Sequence, residues 1–149
     1  MEASANKFIM STKEKVWDVV TDLEQAKDRI ESIKEIEVLN KSDSGFVGTK
    51  WKETRDMFGK EAVETMWIIE AKEYEYYISE ARNTGTLYHS TIRLEEESKG
   101  VRLHMSFTAK PESLFAKLLS PLMFFMKGMI RKAFIKDLED IKKYLENSK

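Results

Sequence analysis

The 149-residue sequence contains no cysteine, only two histidines and only two prolines. The lack of cysteine excludes disulfide bonds, thiolate catalysis and cysteine-based metal sites. Two histidines are a poor basis for any other metal centre, so we expect neither a metal nor a cofactor. With 25 basic and 26 acidic residues, the chain also lacks the positive charge of a general nucleic-acid binder, and we expect no nucleic acid among its partners.

Long uncharged stretches are absent as well. The most apolar segment, residues 114–134, is interrupted by one proline and four basic residues, so no membrane-spanning helix is predicted. No long apolar run follows Met1, so no signal peptide is predicted. The expected location is therefore the cytoplasm. The length fits a single domain over residues 1–149. Eight Met and eight Phe indicate a soft, apolar interior.

Hydrophobic periodicity predicts an α+β domain. Residues 3–10 predict an edge strand, and Ser11 with Glu14 reads as a capping box that begins a short helix. A second short helix is predicted over residues 24–33. From Ile36 onward apolar and polar residues alternate between short connections, which predicts an antiparallel meander of six strands. After the strand that holds Ile36, the predicted strands are residues 47–57, 61–71, 74–81, 86–95 and 101–110.

A long helix is predicted at the end of the chain, over residues 112–146. Its apolar residues recur at a mean spacing slightly above the helical period of about 3.6 residues, so the stripe winds slowly around the axis. Pro121 lies inside this helix and is expected to kink it or to divide off its first turn. The stripe predicted to face the sheet is Phe115, Leu119, Leu122, Met126, Ile130, Phe134, Leu138, Ile141 and Leu145.

This order of elements resembles the helix-grip fold of the START-like superfamily, also called SRPBCC. The resemblance rests on Val16-Trp17-Asp18-Val19-Val20-Thr21-Asp22, Gly45-Phe46-Val47-Gly48-Thr49-Lys50-Trp51, Trp67-Ile68-Ile69-Glu70 and Lys136-Asp137-Leu138-Glu139-Asp140-Ile141-Lys142-Lys143-Tyr144-Leu145-Glu146. The chain is most similar to polyketide cyclase/dehydrase-like domains of that superfamily. Such domains hold a cavity between a curved sheet and the long helix.

The resemblance implies a site for a hydrophobic or amphipathic small molecule in that cavity. Unbranched Met and flat aromatic side chains suit such a lining because they repack around variable shapes. The alternative is that these side chains simply fill the core. The residues predicted to line the site are Trp51, Met66, Ile68, Tyr76, Tyr88, Met105, Phe107, Leu119, Met123, Met126 and Ile130.

One polar cluster is a candidate for chemistry. If Phe58-Gly59 forms a two-residue turn, then Trp51, Glu53 and Arg55 share one face with Glu64. Two carboxyl groups beside an arginine can have separated pKa values, as acid–base catalysis requires. The alternative is that these residues are solvated at a hairpin tip, since a register change of one residue would reverse every side chain.

The two histidines are expected outside this cluster. Pairing Leu94 with Val101 places His89 and His104 on the outer face of the sheet. On the long helix, Phe124 and Ile135 project away from the predicted stripe. Four alternatives account for these two side chains: a dimer contact, the opening of the ligand site, a peripheral membrane contact, or packing against the short helices.

Three functions follow from these observations. The first is binding of a hydrophobic small molecule, with transport or presentation of that molecule. The second is a cyclase, aromatase or dehydratase that uses the same cavity. The third is a protein-interaction module like the Hsp90-activator branch of the superfamily. The chain is expected to be a monomer or a homodimer and to insert no segment stably into a membrane.

Overall fold

The computed structural model describes residues 1–43 and 45–147, so residues 44, 148 and 149 of the predicted domain lie outside the described residues. These described residues form seven strands and three α-helices, with a 3-10 turn at Leu23–Gln25. The strands are β1 (Glu2–Ile9), β2 (Ile33–Asn40), β3 (Lys50–Met57), β4 (Lys60–Lys72), β5 (Tyr76–Asn83), β6 (Thr86–Glu97) and β7 (Gly100–Pro111), and the helices are α1 (Lys13–Thr21), α2 (Ala26–Arg29) and α3 (Leu114–Asn147).

All strands form one antiparallel sheet in the order β1-β7-β6-β5-β4-β3-β2. Strands β2 to β7 pair with their neighbours in the sequence, which confirms the predicted meander, and β1 closes the sheet beside β7. The α+β helix-grip architecture is therefore confirmed.

Two local predictions about the short helices were wrong. The first helix is capped by Thr12, whose Oγ1 accepts a hydrogen bond from the Lys15 backbone N–H at 3.2 Å. Ser11 instead donates its backbone N–H to the Ile9 carbonyl as the chain leaves β1. The second helix is only four residues long, because Ile33 already belongs to β2.

The β6–β7 pairing differs from the prediction by two residues. Leu94 lies opposite Leu103, because the connection is a tight two-residue turn between Glu97 and Gly100. A shift of two residues keeps every side chain on its predicted face. His89 and His104 accordingly lie on the outer face, where they contact Glu80 at 2.9 Å and Glu95 at 3.1 Å.

The main core lies between the sheet, α1 and the second half of α3. Leu138, Ile141 and Leu145 of α3 are buried against the sheet, and α1 contributes Val16, Trp17 and Val20. The six largest side chains that are fully buried are Ile9, Ile68, Leu103, Leu138, Val16 and Val101. This core holds the second half of α3 firmly in place.

The first half of α3 is different, because much of its apolar surface is exposed. Phe115, Leu119, Leu122 and Met126 were predicted to face the sheet, but all four are exposed. The stripe winds around the axis, so its first members lie closer to the side that carries Asp137 than to the side on which Leu138 is buried. The residue buried in the first turn is Ala116.

Helix α3 runs through Pro121 without a break and is about 51 Å long at 1.5 Å per residue. Proline cannot donate the hydrogen bond that the Lys117 carbonyl would otherwise accept. The Ser120 hydroxyl donates to that carbonyl at 2.8 Å instead. The local sequence therefore compensates for the proline, and the predicted division of the helix does not occur.

Candidate functional site

The inner face of the sheet, the side that α3 covers, collects the candidate residues. The pairs Trp51–Met66, Glu53–Glu64 and Arg55–Ala62 lie directly opposite one another on β3 and β4, as the turn at Phe58-Gly59 predicted. The inward positions on the remaining central strands are Tyr77, Ser79 and Ala81 on β5, Tyr88, Ser90 and Ile92 on β6, and Met105 and Phe107 on β7.

At one end of this face, a polar network joins the sheet to α3. Arg55 donates from Nη1 to Asp137 Oδ2 at 2.8 Å and from Nε to Glu53 Oε2 at 3.1 Å. Ser32 Oγ donates to Asp137 Oδ1 at 3.1 Å. Burial alone would lower the pKa of Arg55, but the carboxylates of Asp137 and Glu53 outweigh it and raise the pKa. Every member of this network therefore has at least one internal partner.

Glu64 is in a different environment from Glu53. It is half-buried, and Asn83 Nδ2 donates to its Oε2 at a long 3.5 Å. Partial burial raises the pKa of Glu64, repulsion from Glu53 adds to the rise, and the Asn83 hydrogen bond opposes it. Glu64 therefore keeps its proton to a higher pH than an ordinary glutamate, and its carboxyl group can donate or accept a hydrogen bond.

Two aromatic contacts form an apolar surface beside Glu64. Tyr88 stacks on Phe107 with ring centroids 5.5 Å apart, and Phe107 meets Phe134 of α3 edge-on at 6.5 Å. Burial raises the pKa of Tyr88, so its phenol stays neutral and supplies a hydroxyl at the end of an apolar ring.

The opposing surface is the side of α3 that carries Asp137. An α-helix turns about 100° per residue, so residues seven, eleven and eighteen positions before Asp137 lie on the same side. Those residues are Ile130, Met126 and Leu119. Leu119 is 43% exposed and Met126 is 48% exposed, although Asp137 is only 4% exposed. The side of the helix that contacts β3 at Asp137 is therefore uncovered along its first half.

Both ends of this uncovered stretch are anchored. Ala116 packs beside the β5–β6 turn, close to Gly85, and Phe134 contacts β7. Between these anchors, the side of α3 that carries Leu119, Met126 and Ile130 and the half-buried sheet residues Met66, Tyr88 and Phe107 are incompletely covered, and we call the space between these two surfaces the open cleft.

Two shallow grooves lie elsewhere. One of about 530 Å³ runs between β1 and α3, and its lining includes Lys7, Arg131 and Ile135. The other, of about 540 Å³, lies along β2 and includes Glu24 and Lys41. Neither is lined by the residues predicted for ligand binding.

A family model described as polyketide cyclase / dehydrase and lipid transport matches residues 2–146. The chain belongs to this family.

Solved structures of START-like proteins share the fold. A START superfamily protein from Mycobacterium smegmatis superposes with a TM-score of 0.80 at 10% identity, covering 99% of each chain. The ZhuI aromatase/cyclase from Streptomyces sp. R1128 superposes with a TM-score of 0.74 at 13% identity, covering 98% of this chain and 93% of the other. TTHA0849 from Thermus thermophilus superposes with a TM-score of 0.78 at 18% identity, covering 98% of this chain and 97% of the other. No match was found among curated proteins.

Within this polyketide cyclase/dehydrase-like domain, most of the predicted lining residues lie on the two facing surfaces. Three of those on the sheet, Trp51, Ile68 and Met105, are buried in the core, whereas Met66, Tyr88 and Phe107 are half-buried. On α3, Met123 and Ile130 are half-buried and Leu119 and Met126 are exposed.

Tyr76 does not lie with the other predicted lining residues. It points to the outer face, where its hydroxyl donates to Glu70, and the neighbouring Tyr77 takes the inward position. Tyr77 is itself part of the core, donating to the Val20 carbonyl at 3.0 Å.

Sequence reasoning missed Asp137, Ser32 and Asn83. Asp137 had a detectable signal, because it lies four residues before Ile141 and three after Phe134, which places a charged residue next to the apolar stripe. Ser32 and Asn83 lie in or beside connections and had no comparable signal.

Proposed function

We propose that this protein binds an amphipathic small molecule, with an apolar body and one hydrogen-bonding group, in the open cleft. The observation that carries the proposal is the pairing of two incompletely covered apolar walls. Met66, Tyr88 and Phe107 on the sheet face a helix side on which Leu119 and Met126 are exposed. Apolar surfaces of this kind gain free energy when a ligand covers them.

Glu64 and Asn83 supply the polar end of the proposed site. The Glu64 carboxyl group lies next to the apolar wall, and Asn83 offers an amide nitrogen whose hydrogen bond to Glu64 is long, 3.5 Å, while its amide oxygen accepts from Thr84 Oγ1 at 2.8 Å. A hydroxyl or carbonyl group of the ligand would find both a donor and an acceptor there. The Arg55–Asp137 network bounds the site, and its groups already have partners.

The experiment measures binding of a fluorescent long-chain fatty acid to the purified protein, alongside native mass spectrometry for retained small molecules. Replacing Leu119 and Met126 together by Gln is expected to weaken binding about tenfold, which corresponds to ~1.4 kcal/mol. Both side chains are exposed, so the fold should be unaffected. Leu118→Gln, an equally exposed change on another side of α3, is the matched control.

A second candidate function is an enzyme of the cyclase or dehydratase type acting in the same cleft. The raised pKa of Glu64 favours it, because a carboxyl group that keeps its proton can protonate a ketone or an enolate. Glu64→Gln retains the size of the side chain and removes the acid. Binding of the fatty acid without turnover of any polyketide-like substrate would leave binding alone as the function.

A protein-interaction module without a ligand would have a collapsed interior between helix and sheet. Saturable binding of the fatty acid should be abolished if the cleft walls close on each other in solution. Lack of both probe binding and retained small molecules would therefore overturn the proposed function.

A further inference from the structure

A continuous apolar stripe runs along the solvent side of α3. Its five residues, called the outer stripe, are spaced four, four, three and four positions apart and so share one side of the helix. Phe125 is 84% exposed and Leu114 is 81% exposed. The outer stripe consists of Leu114, Leu118, Leu122, Phe125 and Met129, all of them exposed.

This surface is distinct from the walls of the open cleft. Leu118 and Phe125 lie roughly a right angle or more around the helix from Leu119 and Met126. Phe115 and Phe124, also exposed, extend the apolar surface on either side of the stripe. A monomer that stays in water rarely exposes so much contiguous apolar surface without a partner.

The charged residues in the first half of α3 are of one sign, and two of them, Lys117 and Lys132, lie on or beside the outer stripe. Residues 113–135 contain Lys117, Lys127, Arg131 and Lys132 and no acidic residue, although the whole chain has a net charge of −1. All four basic side chains are exposed. None of the four forms an ion pair with any residue that the structure describes, in contrast to Lys136 one turn later, which binds both Glu31 and Asp140.

We propose that the first half of α3 docks on an anionic membrane surface. The outer stripe would enter the boundary between headgroups and acyl chains, and Lys117 and Lys132 would contact the headgroup phosphates. A helix lying in this plane needs no spanning segment. None of the described helices is long and apolar enough to cross a membrane.

Charge complementarity favours a membrane over a second copy of the chain. A two-fold symmetric dimer through the outer stripe would bring the same surface of both subunits together. Lys117 and Lys132 of one subunit would then lie against the same residues of the other without any acidic partner in residues 113–135. An anionic lipid surface supplies the opposite charge and an apolar layer at once.

The experiment is flotation of the purified protein with vesicles. Vesicles of equal parts phosphatidylcholine and phosphatidylglycerol are expected to carry the protein to the top of the gradient, and vesicles of phosphatidylcholine alone are not. Leu118→Ser with Phe125→Ser should reduce the floated fraction at least several-fold, as should Lys117→Glu with Lys132→Glu. Lys143→Glu, an exposed change of sign on the second half of α3, is the charge control.

Three readouts keep the outcomes separate. Circular dichroism confirms that each variant is folded, and fatty-acid binding by the same variants tests the cleft independently. Sedimentation measures the oligomeric state. Lack of flotation with anionic vesicles overturns the proposal, as does a dimer that Phe125→Ser dissociates while vesicles leave the wild-type protein unbound.

Discussion

Arg55 of β3 and Asp137 of α3 connect the sheet to the long helix through a charge-assisted hydrogen bond of 2.8 Å. Both side chains are largely withdrawn from solvent, with 17% and 6% of their surfaces exposed. Each has a further partner, Glu53 for Arg55 and Ser32 for Asp137. The network joins β3, α3 and the residue just before β2.

Removing one member of this network should destabilise the protein strongly. Arg55→Ala leaves Asp137 and Glu53 without their cation in a buried setting, and breaking such a pair costs about 3–5 kcal/mol. Chemical denaturation monitored by circular dichroism measures this change. Arg82→Ala, which removes the exposed ion pair with Glu112, should cost less than about 1 kcal/mol. Equal losses in the two variants would show that the buried network has no special role.

Gly85 should be far less tolerant of substitution than Gly59. Gly85 has a φ of +77°, and an added Cβ would overlap the Ser113 hydroxyl just before α3. Its carbonyl also accepts hydrogen bonds from the backbone N–H groups of Glu112 and Ser113. Gly85→Ala should therefore destabilise the protein by the backbone strain of about 1–2 kcal/mol and by the displacement of the helix start.

Gly59→Ala is the matched control, because Gly59 has a φ of +90° but open space around it. Gly59→Ala should lower the free energy of unfolding only by the backbone strain. Thermal unfolding of the two variants measures the difference, and an equal loss in both would mean that the contact between the β5–β6 turn and α3 contributes nothing.

Gly128→Ala should stabilise the protein. Gly128 lies inside α3, no atom would lie within 4 Å of an added Cβ, and glycine is about 1 kcal/mol less favourable than alanine inside a helix. The gain is measured as the shift of the denaturation midpoint at unchanged slope. A destabilised variant would indicate that the helix near Gly128 departs from regular geometry in solution.

The sequence predicted the sheet side of the site better than the helix side. Phe58 and Gly59 both have positive φ angles, 55° and 90°, as a two-residue hairpin turn requires. That turn determines on which face of the sheet Trp51, Glu53 and Arg55 lie, since successive side chains of a strand alternate between the two faces. On α3, apolar residues surround much of the first half, so periodicity alone did not identify the side that contacts the sheet.

Asp137 illustrates the second limit of sequence reasoning. It lies between Lys136 and Leu138 in a segment rich in charges, where a carboxylate is normally solvated. Its burial depends on Arg55, which is 82 positions away in the chain. The place of Asp137 beside the apolar stripe is visible in the sequence, but its pairing with Arg55 over this separation follows from the packed fold and has no local signature.

The pH dependence of stability should identify Glu64 as a partly desolvated carboxyl group. Burial raises its pKa in the folded protein, so the folded state binds its proton more tightly than the unfolded chain does. The resulting stabilisation is complete at pH values below the pKa of Glu64 in the unfolded chain. It is lost as the pH rises through the pKa of Glu64 in the folded protein. Glu64→Gln removes this dependence.

The variant should consequently be more stable than the wild type at pH values above about 7, and the advantage should shrink near pH 4. The expected gain is below about 1 kcal/mol, because half of the Glu64 surroundings remain solvent and screen its charge. Melting temperatures of both proteins across this range provide the measurement. Glu61→Gln, an exposed change on the same strand, controls for the loss of one negative charge. A wild type that is the more stable protein at neutral pH would mean that Glu64 is ionised and stabilised there, which would also remove the basis for an acid in the cleft.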